Sequence, residues 1–319
     1  MAETKEVGNV KTNSFLTAVL AALLLILCSC STPGNKTDTV SEKTDREKKA
    51  VPYSPETVLP KLYYTNAALV GDTAFLCGTG NGGQILLRAD PITGRADPIL
   101  LPSSGTVFCL GAAEGKRCVV ITDSSRLDAS GTPRDHFTLF EIEENGDIIR
   151  ESSLDGIEEV NLLAIGTPAV QGCALLGENA LILIDNRLLL LDPNGKLLDD
   201  LTWHGKPRLV GGTETEVRLA DQTEEEFLCA ILTVSSEGKL RVEKQKAPED
   251  GHTFVRAFGQ KELFYTADRR VFAMDPDTGK TEERWSYAAA PSGEKEIWFN
   301  GENLLLELDG GWARFLRIE

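Results

Sequence analysis

Three histidines are the first residues to weigh for metal or acid–base chemistry. His136 ends the stretch "DSSRLDASGTPRDH", His204 sits in "LTWHGKP" and His252 in "PEDGHTF". A metal site needs imidazole nitrogens converging on one ion within a few ångströms. All three lie in polar connections, where exposed histidines are ordinary, so they stand as weak metal candidates. "GTGNGG", residues 78 to 83, imitates a phosphate-binding loop. Such a loop must be followed by a helix N-terminus that presents amides to phosphate, and here "QILLRADP" reads as a strand ending at a turn. "DPDTGKTEE" has the look of a calcium loop, but Gly279 and Lys280 stand where the third oxygen ligand and the glycine belong. No Gly-x-Ser-x-Gly elbow, His-Glu-x-x-His pair or paired-carboxylate element stands out. No catalytic residue, metal or cofactor is expected.

Cysteine chemistry divides in two. Cys77, Cys109, Cys118, Cys173 and Cys229 sit mostly inside apolar strand-like runs, where a thiol packs as a small hydrophobe. "CLGAAEGKRC" reads as a hairpin turning near residues 112 to 115, which would set Cys109 opposite Cys118 as a candidate disulfide. No Cys-x-x-Cys pair or metal-ligand spacing is present.

Cys28 and Cys30 follow an apolar run from Phe15 to Leu27, broken only by Thr17. Such a run is too short for the roughly 20 residues that span a bilayer and suits the apolar region of a signal peptide. "LCSC" resembles the bacterial lipobox, with Ser29 before Cys30 and Leu27 three residues back. Residues 1 to 29 are therefore expected to be a lipoprotein signal peptide. Cys30 is the expected lipidation site, and the acyl chains would hold the protein on a membrane, facing outside the cytoplasm. Residues 30 to 52 are expected to form the lipidated cysteine and a disordered tether. Their one large apolar residue before Val51, Val40, cannot offset the cost of ordering.

The chain carries a formal charge of −16; the leader is balanced and residues 31 to 50 carry one net positive charge, which leaves −17 on residues 51 to 319. A field of that sign repels nucleic-acid phosphates and anionic headgroups, so nucleic acid is excluded as a partner.

What remains, residues 53 to 319, is punctuated by recurring corners. "LLRADPITGR" supplies Asp90, Thr93 and Gly94; "LLLLDPNGKL" supplies Asp192 and Gly195; "VFAMDPDTGK" supplies Asp275, Thr278 and Gly279. Each follows an apolar run and precedes another. The aspartate accepts backbone N–H groups two or three residues on, and the glycine takes a positive φ. Glycines 94, 146, 195, 238, 279 and 310 are spaced by 52, 49, 43, 41 and 31 residues. Periods of roughly 40 to 50 with several strands per unit predict an all-β propeller of about six four-stranded blades, with seven also compatible. The last blade supplies only three strands, and "TVLPKLYYT" near the other terminus is the expected fourth. Pairing of the two chain ends would close the ring and remove exposed edges.

These corners resemble the pyrroloquinoline-quinone-type propeller repeat, whose core runs Ala-x-Asp-x-x-Thr-Gly-x-x-x-Trp. Ala273, Asp275, Thr278 and Gly279 match it; Ala89, Asp90, Thr93 and Gly94 match with the alanine displaced by one. Trp285 falls two residues late, Pro98 lies where the first repeat would have its tryptophan, and Asp192 to Gly195 is one residue short. The resemblance implies a relation to quinone-dependent dehydrogenases and to non-catalytic envelope lipoproteins, such as the propeller subunit of the outer-membrane β-barrel assembly machine. The dehydrogenases are similar to larger rings with adjacent cysteines and calcium ligands, which are not found here, so no quinone is expected. The expected function is a membrane-anchored scaffold that binds an envelope protein or peptide. The alternative is a small-ligand or enzymatic propeller, quinoprotein-like or acting on sugars or lactones.

Overall fold

The computed structural model describes residues 48–52, 59–102, 105–113, 117–158, 170–184, 186–222, 227–246, 253–267, 269–287 and 296–319. Strand β1 (Lys49–Pro52) is followed by a series of four-strand antiparallel sets. The first set is β2 (Tyr63–Val70), β3 (Thr73–Gly80), β4 (Gly83–Asp90) and β5 (Arg95–Ile99). The second comprises β6 (Thr106–Ala113), β7 (Arg117–Asp123), β10 (Phe137–Glu143) and β11 (Ile148–Ser153), with the small hairpin β8 (Arg126–Leu127) and β9 (Pro133–Arg134) inserted. The third runs through β12 (Val170–Leu176), β13 (Asn179–Ile184), β14 (Arg187–Leu191) and β15 (Leu197–Thr202). The fourth follows with β16 (Pro207–Gly212), β17 (Val217–Gln222), β18 (Phe227–Val234) and β19 (Leu240–Lys246). The fifth has β20 (Thr253–Phe258), β21 (Leu263–Ala267), β22 (Arg270–Met274) and β23 (Thr281–Tyr287). The last has β24 (Glu296–Phe299), β25 (Leu304–Asp309) and β26 (Trp312–Ile318). A single helical turn, Asp155–Glu158, packs against this framework.

The first strands of neighbouring sets lie side by side and parallel. Ala112 of β6 pairs with Ala174 of β12, Gly211 and Gly212 of β16 with Ala257 and Phe258 of β20, and Val255 and Arg256 of β20 with Ile297 and Trp298 of β24. This approach needs small residues. A Cβ on Gly111 would collide with the Cys173 carbonyl, and one on Gly211 with the Ala257 carbonyl. The inner strands are buried on both sides, which is why "FCLGAA" and "GCALL" read as nearly unbroken apolar runs. Facing sets then bury Phe75, Leu76, Val120, Phe140, Leu189, Leu219 and Trp298 between them, each contributing roughly 1.5–3 kcal/mol when fully buried.

The corners behave as their residues predict. Asp90 Oδ1 accepts the Ile92 and Thr93 N–H groups at 2.8 and 3.1 Å, and Asp275 Oδ1 accepts those of Asp277 and Thr278 at 2.9 and 3.0 Å. Asp192 Oδ1 accepts from Asn194 and Lys196. Gly94, Gly195 and Gly279 have φ of 72°, 84° and 67°. All three corners join the third and fourth strands of their sets. Gly310 does not: it joins the second and third strands of the last set, which accounts for the short final interval.

Two expectations are corrected. The fourth strand beside β26 is not drawn from residues 57 to 65 but from Lys49–Pro52, inside the segment expected to be tether. Ala50 is only 2% exposed and packs with Val255, Trp285 and Leu316, while Lys49 and Ala50 also pair with Ser286 and Tyr287 of β23. Four residues are too few to show a strand periodicity, so only the partner strands reveal this one. Tyr63, Tyr64 and Thr65 of the expected strand open β2 instead. Second, the turn register sets Cys109 opposite Ile121 and Cys118 opposite Ala112, with a bulge between Val107 and Cys109. The two thiols do not face one another; both are buried and free.

The close approach of the inner strands makes a measurable demand. Gly211→Val should lower stability by about 3 kcal/mol through overpacking, whereas Gly94→Ala, whose Cβ would meet nothing within 4 Å, should cost about 1 kcal/mol from its positive φ alone. Urea midpoints at unchanged m-value give both; equal losses would contradict the account.

Candidate functional site

Because strands alternate within each set and the inner strands run parallel, the sets share two ends. The turns from first to second strand, and the aspartate corners, gather at one end. At its centre is a hollow of about 170 Å³, floored by Leu69, Val70, Ala112, Ala113 and Phe258 and rimmed by Asp72, Gln260, Asn300 and Glu302. Asp72 organises the rim. Its Oδ1 accepts from Asn300 Nδ2 at 2.9 Å, and its own N–H donates to Glu144 Oε1 at 2.9 Å. On the other side of Asp72, a groove of about 520 Å³ separates the first and second sets, lined by Arg88, Asp90, Ile92, Glu143, Glu144 and Asn145. Arg88 Nε donates to the Glu144 carbonyl at 2.7 Å. Burial of Asp90 raises its pKa, but hydrogen bonds from Thr93 and Ile92 and the Arg88 charge outweigh it and hold the carboxyl below its usual range. Four carboxylates face one guanidinium, so this end is acidic.

Deeper between β20 and β24, Phe258 stacks on Trp298 with centroids 6.0 Å apart. The Arg256 guanidinium lies 5.0 Å over the Trp298 ring and holds the Glu296 carboxylate through two 3.1 Å hydrogen bonds. A cation is thus held over an indole and paired with a carboxylate on this strand pair.

The opposite end is different in character. Tyr63 opens β2, Leu100 follows β5, Leu127 lies in the inserted hairpin and Trp312 opens β26; they are 61%, 87%, 71% and 74% exposed. Tyr63 and Trp312 straddle one junction. The Tyr64 N–H donates to the Gly311 carbonyl at 2.9 Å, and the Tyr63 ring occupies the space a Cβ on Gly311 would need. The first and last sets therefore meet here. The hairpin beside Leu127 is held by Asp128, whose Oδ1 accepts from the Ser130 N–H and hydroxyl and from the Thr132 N–H. These bonds, the Ser130 hydroxyl foremost, draw the Asp128 pKa down to about 2. Residues 126–134 thus form an ordered hairpin.

His136 and His204 fall at this second end, on connections of different sets. His136 Nδ1 is against the Glu158 carboxylate; burial first, and the Arg126 charge second, lower its pKa. His204 is exposed, and His252 lies outside the described residues. Among the described residues no three His, Cys, Asp or Glu side chains group as a metal site. "GTGNGG" forms the β3–β4 hairpin, with Gly80 opposite Gly83. Of the corner residues, Asp90 also lines the groove, as does Asn145 of the Gly146 corner. Cys30 lies outside the described residues. The reading of the sequence passed over Asp72, Asn300, Tyr63 and Trp312; isolated turn residues and single aromatics carry no local signal of shared position.

No protein-family model and no curated protein matches the chain. Among solved structures it is similar to the major allergen Mala s 1 of Malassezia sympodialis, at 11% identity and a TM-score of 0.50 over 85% of this chain and 97% of that one. It is also similar to a streptogramin B lyase structure, at 12% identity and a TM-score of 0.47 over 86% and 98% of the two chains. The WD40 domain of Neurospora crassa Pan2 gives 9% identity and a TM-score of 0.46 over 85% and 95%. The likeness to Mala s 1 is one of fold alone.

The hairpin beside Leu127 is open to a direct check. The Asp128 carboxyl should titrate near pH 2 by NMR, against an ordinary value of about 3.9. A depressed folded-state pKa means that the hairpin's carboxylate-dependent stability is present above about pH 4 and is lost as pH falls toward 2. Ser130→Ala should move the titration back toward the ordinary value; no movement would show that the hydroxyl is not the main cause.

Proposed function

We propose that this chain is a lipid-anchored scaffold outside the cytoplasm, carried on Cys30, whose four-strand sets form a six-bladed propeller closed by β1 beside β26. It binds an envelope protein or peptide through the end that bears Tyr63, Leu100, Leu127 and Trp312 and performs no chemistry of its own. The carrying observation is the contrast between the two ends. Aromatic residues are enriched at protein interfaces, and Tyr63 and Trp312 stand together at one end, with Leu100 and Leu127 also exposed there. The acidic end carries the hollow of about 170 Å³ and the groove of about 520 Å³; the hollow is smaller than the roughly 300–1,000 Å³ of small-molecule sites and the groove falls within that range. Residue 49 pairs beside Ile318 and Glu319, at the acidic end.

Two measurements test this. Cys30→Ala should shift the protein from the membrane pellet to the soluble fraction. A photo-crosslinking residue at position 312 should yield one discrete protein adduct in native membranes, and the same residue at position 92 in the acidic groove should not. Absence of an adduct at 312, together with a small molecule or metal in the purified protein, would replace the scaffold by the alternative of a ligand-binding or enzymatic propeller.

A further inference from the structure

The dipeptide Asn-Gly occurs four times in the chain, at 81–82, 145–146, 194–195 and 300–301. In each, a backbone nitrogen follows directly after a side-chain amide, and glycine has no side chain to screen it. The four surroundings differ. Gly146 N–H donates to the Glu143 carbonyl and Gly195 N–H to the Asp192 carbonyl, both at 2.9 Å. The Asn145 amide is also tied to Asp147, through its Oδ1 at 2.9 Å and its Nδ2 at 2.8 Å. Asn300 is held on both sides: its Oδ1 accepts the N–H groups of Glu302, Asn303 and Leu304, and its Nδ2 donates to Asp72. Asn81 and Gly82 form the turn of the "GTGNGG" hairpin, between the paired Gly80 and Gly83, and both are exposed. No hydrogen bond among the described residues holds the Asn81 amide or the Gly82 N–H. A Cβ on Gly82 would meet nothing within 4 Å.

We propose that Asn81 is a self-modification site, where the exposed Asn81–Gly82 turn loses its side-chain amide and becomes aspartate or isoaspartate ahead of the other three. The Gly82 nitrogen gives its proton to hydroxide and attacks the Asn81 side-chain carbonyl carbon. The carbon–nitrogen bond of the side-chain amide breaks, ammonia leaves with a proton from water, and a succinimide ring closes. Water then opens the ring at either carbonyl. Breaking the new bond restores the backbone as aspartate, and breaking the original peptide bond routes the chain through the side chain as isoaspartate. The sum is one water consumed and one ammonia released, with no electron transfer. At Asn145 and Asn194 the attacking N–H must first leave its carbonyl, and at Asn300 the amide must leave its partners on both sides. Either product places a new carboxylate in the turn, two residues from Thr79, which pairs with Tyr63. The change therefore adds negative charge at the end that bears Tyr63 and Trp312. Its effect on a partner, unlike the modification itself, rests on the reading of that end as a binding surface.

The test incubates the full chain in detergent solution over a pH series, with peptide mapping by fragmentation that separates aspartate from isoaspartate. Asn81 should lose its amide about five-fold faster than Asn145 or Asn194, the effect of one backbone hydrogen bond, and Asn300 should be slowest. The rate should rise with pH, because the attacking nitrogen must lose its proton, and both products should appear. Unfolding in urea should bring the four rates together, since all four sites share the dipeptide. Gly82→Ala should slow the loss at Asn81 while the far-UV spectrum and thermal midpoint stay unchanged. Equal rates at the four sites in the folded chain, a rank order that survives urea, or aspartate without isoaspartate would overturn the inference. Crosslinking from position 312 in chain already converted at Asn81 reads the effect on a partner separately. A reduced adduct yield supports that effect; an unchanged yield sinks it and leaves the modification standing.

Discussion

The closeness of the inner strands is the constraint on which the other features depend. Parallel strands that exchange hydrogen bonds between successive sets bring backbones together where Gly111 meets Cys173 and Gly211 meets Ala257. Any larger side chain would push the sets apart. With the spacing fixed, the two ends of every set come into common alignment, and the turns of separate sets become neighbours. Gly259 N–H reaches the Gly212 carbonyl and Gly177 N–H the Glu214 carbonyl, both at 2.7 Å. The same pairing sets Arg256 of β20 beside Trp298 of β24.

From that alignment the two ends acquire different chemistry. One end collects first-to-second and third-to-fourth turns, and those turns are built from Asp, Asn and Gly because a tight corner needs an acceptor for its amides and a residue at positive φ. The carboxylates of Asp90, Asp192 and Asp275 serve their own turns first and give the end its charge as a consequence. The other end collects the second-to-third turns and the connections between sets, and there Tyr63, Leu100, Leu127 and Trp312 are left in solvent. Asp72 shows how far the coupling reaches: it links the first set to Asn300 of the last and to Glu144 of the second.

Several buried charged groups are held by ion pairs or hydrogen bonds. Glu141, 2% exposed at its side chain, is held by Arg117 and Arg150 at 2.8 Å each. Arg218, 1% exposed, meets Glu216 and the Gln260 carbonyl. Asp221 accepts the Trp203 indole N–H at 2.7 Å and the Lys206 N–H at 2.7 Å. Each would be costly if either partner were removed, since the remaining charge would stay desolvated. Such pairs tie one strand or set to the next where apolar contact alone gives no register.

The amino-acid sequence by itself determined the all-β class, the hairpin corners at Asp90, Asp192 and Asp275, and the repeat that groups strands in fours, because these follow from contacts within a few residues along the chain. Turn chemistry and two-residue alternation are local, so they are legible without a partner. Tertiary structure decided what depends on partners distant in sequence. Lys49–Pro52 became a strand because β26 and β23 offered it edges. Cys173 came to lie against Gly111 because two inner strands pair there. Tyr63 and Trp312 became neighbours because the first and last sets meet. None of these is written in a local pattern, since a pairing between segments tens to hundreds of residues apart is fixed only when the backbones that carry them are packed.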